Sequence, residues 1–353
     1  ADRLGIELVL GVPAAALDAG ASRATLTDGR QIPYDELVIA TGARPRPMPW
    51  DPHENLLELR TLSDARRLRT ALRASRDVAV VGAGFIGAEV ASAARSLGLG
   101  VTLIDSLPNP MSRLFGDQVG ALFRDLHTSH QVRTHFGVGV TTIEPDGRGC
   151  RVTLSDGRML SADLVVAGIG VLPDTAWLAS SGLILDDGIV CDSQCRAVGH
   201  PRVHAAGDVA RWHHPRHGEL VRVEHWTNAA DQARFVAQTI ARPDASAEFS
   251  PVEYVWSDQY DWKIQITGCP WRGAGQATVT DPGQGRFCVL WAGAGQNLSG
   301  ALAVNWPKAS LLTRRAVAAG QPIGSVRAAL LAAGGSAVPA AGQLAPATVM
   351  DKG

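Results

Sequence analysis

Gly82-x-Gly84-x-x-Gly87 is the spacing in this chain most directly tied to chemistry, because of what flanks it. A short apolar run, Val78–Val81, reads as a buried parallel strand, and the helical pattern after the glycines runs to about Leu97 and stops at Gly98. A second strand, Val101–Ile104, ends in Asp105, about 20 residues beyond the loop. That is the order of a dinucleotide-binding βαβ unit. Gly82 permits the tight turn, Gly84 lets the backbone approach a pyrophosphate, and Gly87 lets helix and strand pack closely. The helix N-terminus then offers free N–H groups and a positive dipole end to the phosphates. Asp105 is placed to accept hydrogen bonds from the adenosine ribose hydroxyls and to repel a 2′-phosphate.

Other groups point to chemistry less directly. The strand Val203–Ala206 meets Gly207-Asp208 at its carboxyl end, the edge where ligands of open α/β sheets sit. An acid there can hold a ribityl hydroxyl, reach a pyrophosphate, or simply cap a helix. Glu224-His225-Trp226-Thr227-Asn228 precedes a helical pattern, Ala229–Ala241, whose first amides could face a flavin's pyrimidine oxygens. Trp226 is large enough to cover a planar ring, although an aromatic at a helix start also serves as core. His213, His214 and His217 stand in a Pro/Gly-containing stretch with no carboxylate or cysteine grouped at useful spacing, so a solvated loop and no metal are expected. Cys191 and Cys195 form a CxxxC with no second pair, which reads as two incidental thiols in a strand and turn.

The elements that must position these groups are repeated. Residues 22–45, SRATLTDGRQIPYDELVIATGARP, match residues 150–173, CRVTLSDGRMLSADLVVAGIGVLP, at an offset of 128. Shared at equivalent places are Arg, Thr, Leu, Asp-Gly-Arg, Asp, Val, Gly and Pro. Each copy reads as a hairpin around an Asp-Gly turn, then an apolar strand (Leu37–Ala40; Leu164–Ala167) entering a glycine turn. The chain thus carries two copies of one dinucleotide-binding architecture. By the same offset, the first copy's glycine loop is expected about 46 residues ahead of Ala1.

Between the copies lie a proline-rich connector (Arg44–Pro52) and an amphipathic helix, Thr61–Ser75, which Ser63 can cap. A further helix is expected over Gly116–Ser129. From Pro251 the pattern alternates with period 2, predicting a small antiparallel sheet and then a helix, Lys308–Ala319. Five of the nine tryptophans (Trp256, Trp262, Trp271, Trp291, Trp306) fall there, either as a docking or dimer surface or as the core of a small domain. Beyond about Ser336 an Ala/Pro-rich tail is expected to be disordered.

Composition sets the limits. In 353 residues, 46% hydrophobic and 19% charged, two or three domains are expected. A net charge of −1 gives no global field for nucleic acid or an anionic membrane, and no apolar run approaches the roughly 18–20 residues of a transmembrane helix. Five dispersed cysteines suit a reducing cytoplasm.

Together, Ala40-Thr-Gly-Ala-Arg-Pro45, Gly82-Ala-Gly-Phe-Ile-Gly-Ala-Glu89, His204-Ala-Ala-Gly-Asp208, Glu224-His-Trp-Thr-Asn228 and Trp256-Ser-Asp-Gln259 resemble the FAD-dependent NADH–ferredoxin reductases of the putidaredoxin-reductase type. The resemblance runs from residue 1 to about 325. It implies an α/β protein with tandem Rossmann-like FAD and NAD(P) domains, glutathione-reductase-like, plus a small C-terminal α+β domain. The implied division is 1–60 and 186–250 for FAD, 61–185 for NADH, 251–331 for the C-terminal domain, and 332–353 for the tail. It also implies residue roles. Thr41, Gly42, Ala43 and Arg44 line FAD; Gly207, Asp208 and Val209 hold its ribityl-phosphate part; His225 and Trp226 border the isoalloxazine. Gly82, Gly84, Phe85, Ile86, Gly87, Asp105 and Arg113 hold NADH, and Gly170 passes near the nicotinamide ribose. Glu89 stands beside nicotinamide and flavin, paired in the family with a lysine from a preceding segment. The implied activity is electron transfer from NADH through FAD to a 2Fe–2S ferredoxin serving an oxygenase, by a cytoplasmic monomer or homodimer. The alternatives are a non-catalytic NAD-binding module and a truncated, inactive remnant. A flavin requirement for turnover separates enzyme from binder.

Overall fold

The computed structural model describes residues 2–244, 247–270, 273 and 275–338. They fall into two compact units, one from residues 1–44 and 171–251, the other from residues 45–170 and from 252 onward. The longer helices are α1 (Leu62–Ala74), α2 (Phe85–Ser96), α3 (Ser112–Ser129), α4 (Trp226–Ala241), α5 (Pro307–Ala318) and α6 (Ile323–Ala332). None of the described helices is long and apolar enough to cross a membrane.

In the second unit the expected βαβ is present. Five parallel strands lie in the order 56–57, 164–167, 77–81, 100–105, 133–136. The central strand, Asp77–Val81, is buried over Val78–Val81, as a continuous apolar run between two neighbours must be. Helix α1 starts on Thr61, not on the expected Ser63. The Thr61 hydroxyl accepts from the Asp64 N–H while the Asp64 carboxylate accepts from Thr61 N–H, a reciprocal capping box. The segment Ser112–Ser129 is interrupted at Gly116, whose φ of 76° and ψ of 171° are not helical, so a short turn from Ser112 precedes the helix expected over Gly116–Ser129.

The chain from 254 forms a six-stranded antiparallel sheet, order 254–259, 262–268, 298–304, 286–292, 275–281, 336–337. One face packs on α5 and α6 through Leu290, Ala303, Trp306 and Val326. The other packs on α2 and α3, where Phe115 and Phe123 meet Ile264, Trp291 and Leu302. Trp291 and Trp306 are therefore core, whereas Trp256 is exposed; Trp271 lies outside the described residues. Part of the stretch expected to be a tail is ordered: residue 332 ends α6, and Ser336–Ala337 pair with Val279–Thr280. Residues 339–353 lie outside the described set.

The first unit has a six-stranded sheet, order 219–221, 210–214, 189–191, 196–197, 200–205, 37–39. The expected histidine loop is instead a hairpin, Ala210–His214 pairing with Glu219–Val221. His214 is fully buried: its Nδ1 accepts from Arg216 N–H, so its Nε2 donates to the Pro251 carbonyl at 3.2 Å.

The internal repeat holds to the level of single bonds. Each copy folds as a three-stranded antiparallel sheet, 14–18/23–26/31–33 in the first unit and 140–146/149–154/159–162 in the second. Both carry a bulge beside the same leucine, Leu26 or Leu154. In both turns the aspartate accepts from the N–H and Nε of the arginine two residues on (Asp28–Arg30; Asp156–Arg158). Gly29 and Gly157 take φ of 87° and 86°, a left-handed backbone that glycine adopts without a steric penalty.

Candidate active site

At the carboxyl end of Asp77–Val81 the loop glycines answer different demands. A Cβ on Gly82 would lie 2.2 Å from the Gly168 carbonyl oxygen, and one on Gly87 would lie 1.8 Å from that of Gly82. Both are required by the protein's own packing. A Cβ on Gly84 would meet nothing within 4 Å. Gly84 is also the N-cap of α2, and no side chain satisfies the helix's first N–H groups there. The result is an open cradle at a helix N-terminus, which fits a pyrophosphate. Phe85 opens α2 and packs partly into the core, and Ile86 is exposed. Gly170, with φ 97°, follows the neighbouring parallel strand Leu164–Ala167 and also has open space at its Cβ position.

Asp105 ends the adjacent parallel strand and does more than the sequence indicated. Its Oδ2 accepts from Ala83 N–H at 2.6 Å and its Oδ1 from Leu107 N–H at 2.8 Å. The acid ties the glycine loop down, and each oxygen keeps a lone pair for a ribose hydroxyl. Arg113 lies exposed in the first turn of α3 and makes no hydrogen bond or ion pair among the described residues.

Glu89 lies in the second turn of α2. Ser257 Oγ donates to its Oε1 at 2.6 Å, and Gln259 Nε2 donates to Ser257 Oγ at 3.1 Å. Glu89 keeps an exposed surface. Protein atoms crowded around its carboxyl nevertheless push its pKa above the ordinary value; the Ser257 bond opposes that shift and the Asp258 charge adds to it.

In the first unit, Leu37–Ile39 pairs in parallel with Val203–Ala205, so Thr41–Arg44 and Gly207–Val209 leave the same edge of neighbouring strands. Thr41 Oγ1 donates to the Asp174 carbonyl, Gly42 has φ 70°, Ala43 is buried and Arg44 is exposed. Gly207 (φ 77°) packs close to Ala229 in the first turn of α4. That helix starts at Trp226 rather than Ala229, with His225 at the N-cap position making no side-chain cap bond. Trp226 is 76% exposed, a large apolar face at a sheet edge. An exposed indole, a helix N-terminus and Asp208 fit the ring and ribityl chain of a flavin. Gln232 holds this edge from below, its Oε1 accepting from Gly207 N–H and its Nε2 donating to Cys195 Sγ. Cys191 and Cys195 are free and buried; burial pushes the Cys195 thiol up to about 12 and raises that of Cys191 as well.

Four supporting residues carried no role in the sequence reading. Ser257 and Gln259 had a visible signal, since alternation in Trp256-Ser-Asp-Gln259 puts both on the buried face. Gln232 and Arg222, whose guanidinium donates to Glu224 and to the Asp208 carbonyl, had none.

Residues 2–233 match the family model of pyridine nucleotide-disulphide oxidoreductases, and residues 254–333 match the reductase C-terminal model. The chain is 36% identical over 327 residues to rhodocoxin reductase of Rhodococcus erythropolis, covering 92% of this chain and 76% of that one. It is 39% identical over 324 residues to the ferredoxin–NAD(+) reductase component of the anthranilate 1,2-dioxygenase system of Burkholderia cepacia, covering 90% and 78%. The structure of the covalent putidaredoxin reductase–putidaredoxin complex superposes with a TM-score of 0.86 at 29% identity, covering 94% of this chain and 83% of that chain.

Proposed function

The chain belongs to the pyridine nucleotide-disulphide oxidoreductases, in the FAD-dependent NADH–ferredoxin reductase branch, and from that premise we propose how its residues divide the work. Gly82, Gly84, Gly87 and Asp105, with Phe85 and Ile86 opening the helix, hold NADH; Arg113 and Gly170 border it. Thr41–Arg44, Gly207–Val209, His225 and Trp226 hold FAD. The observation that carries this reading is the Gly84 cradle, an uncapped helix end whose loop is anchored by Asp105.

FAD held by those residues would supply the redox chemistry, accepting a hydride from NADH and passing the two electrons singly to an iron–sulfur acceptor. The chain's own task is positioning. The α2 terminus neutralises the pyrophosphate, Asp105 selects an unphosphorylated ribose, and Trp226 shields a ring face from water. Glu89 stands near the nicotinamide end as an anionic group. The partner is a ferredoxin of the 2Fe–2S type. A cytoplasmic setting suits the five cysteines, all free in the structure. Residues 61–185 are read as the NADH-binding part, 1–60 with 186–250 as the FAD-binding part, and 251–331 as the C-terminal part.

The test is the visible spectrum of the chain loaded with FAD and desalted, before and after anaerobic NADH. Retained flavin bands that bleach, and return on adding oxidised ferredoxin, are the expected result. A colourless protein that still binds NADH would overturn the FAD assignment and favour a nucleotide-binding module.

A further inference from the structure

Glu89 is not an isolated carboxylate. Ser257 and Gln259 are 1% and 0% exposed, on the buried face of the strand Tyr254–Gln259, and Ser257 reaches Glu89 on α2. A serine hydroxyl has one proton. Oγ sits 2.6 Å from Glu89 Oε1 and donates that proton to it. The contact from Gln259 to the same Oγ must then be a donation, which fixes the amide with Nε2 toward Ser257. The Gln259 Oε1 is left buried with no partner among the described residues.

A second anchor sets the register. Tyr260, next along the chain, takes a left-handed φ of 53°, and its N–H donates to Ser92 Oγ at 2.7 Å. Glu89 and Ser92 are three apart on α2 and so share a face, which meets the Ser257 side chain and the Tyr260 backbone N–H. The strand end is therefore bonded to α2 at two successive points, and Ser257 Oγ cannot drift from Glu89 without breaking the second bond.

We propose that Gln259 and Ser257 form a buried hydrogen-bond relay that fixes the Glu89 carboxylate in one orientation at the nucleotide site. The proposal rests on the reading of Glu89 as a residue of that site. Gln259 orients the serine hydroxyl and the hydroxyl orients the carboxylate; neither touches the nucleotide, so both are positioning residues. Asp258, on the opposite face of the strand, is the other charged group acting on Glu89. The relay offsets that negative neighbour and the crowding around the carboxyl by favouring the ionised form.

The experiment compares Ser257→Ala, Ser257→Thr, Gln259→Met and Glu89→Gln with the wild type. The first readout is the titration of the Glu89 side-chain carboxyl, followed by NMR on protein carrying 13C-labelled glutamate and assigned by its loss in Glu89→Gln. The second is NADH affinity and the kcat-against-KM split of NADH oxidation across pH. Ser257→Ala is expected to move the Glu89 midpoint upward and to weaken its function about tenfold, the fold-change of one lost hydrogen bond to a charge. Ser257→Thr, which keeps the hydroxyl, restores both. Gln259→Met gives a smaller shift in the same direction. An unmoved Glu89 midpoint in Ser257→Ala, with the protein folded, refutes the relay. If Glu89→Gln alters neither NADH affinity nor turnover, the site reading of Glu89 fails instead, and the titration still judges the hydrogen bonds.

Discussion

Replacing Asp105 with asparagine separates two roles that the sequence shows as one. Wild-type Asp105 accepts two backbone N–H groups, from Ala83 in the glycine loop and Leu107 beyond the strand. Asparagine keeps one acceptor oxygen and turns an NH2 toward the other donor. Ala83 is 1% exposed, so the remaining oxygen must serve its N–H, and Leu107 loses its partner. A hydrogen bond to a charged group contributes roughly 1.5–3 kcal/mol and a neutral one about 1 kcal/mol. Losing one bond and weakening the other costs about 2–4 kcal/mol by the same scale. Urea denaturation without nucleotide reads this cost directly. NADH affinity, measured by fluorescence titration, should fall by about tenfold as the ribose acceptor loses its charge. If the variant unfolds at the wild-type urea concentration, the loop-tying role is wrong. If stability falls but NADH binding is unchanged, Asp105 does not read the ribose. Asp105→Arg is expected to favour NADPH over NADH, yet to bind it weakly, because the same substitution releases the loop.

Further outcomes follow from the same geometry. Gly87→Ala places a methyl 1.8 Å from the Gly82 oxygen, so the loop must move; NADH affinity should fall at least tenfold, and unchanged affinity would refute the packing role of Gly87. Gln232→Leu leaves the buried Gly207 N–H without its acceptor; a loss of about 1–3 kcal/mol in denaturation and a lower FAD:protein ratio after desalting are expected. His127, buried with Nδ1 bonded to the Tyr260 hydroxyl, is held at about 4, below the ordinary value near 6.5. The unfolded chain therefore takes up a proton below about pH 6.5 that the folded chain refuses until about pH 4. Stability should fall across that window as pH drops, and His127→Phe should flatten the slope; an equally steep dependence in the variant would count against it.

Much of this was legible from residues. The order strand, GxGxxG, helix, strand, Asp105 requires one local geometry, and the open Gly84 cradle is its outcome. The 128-residue repeat foretold two like hairpins, and even the Asp–Arg turn bonds recur, because those bonds are made within three residues. Period-2 alternation from residue 254 foretold the antiparallel sheet. Where local rules misled, tertiary packing had intervened. Three histidines in a Pro/Gly stretch read as a loop, yet His214 is sealed under the Pro251 carbonyl. Ser63 looked like a cap, but the Thr61–Asp64 pair satisfies two donors where a single serine satisfies one.

What the sequence by itself determined, then, is whatever is set by bonds and contacts within a few residues: strand and helix order, turn chemistry, the need for glycine, and which face of each element is apolar. Which polar group meets which was decided only in three dimensions. Parallel pairing of Leu37–Ile39 with Val203–Ala205 brings Thr41 and Asp208 to one sheet edge, and packing of the C-terminal sheet on α2 brings Ser257 to Glu89 across 168 residues. The physical reason is that periodicity records burial but not partners. A buried polar side chain must find a hydrogen bond, and the order in which strands and helices stack decides whose.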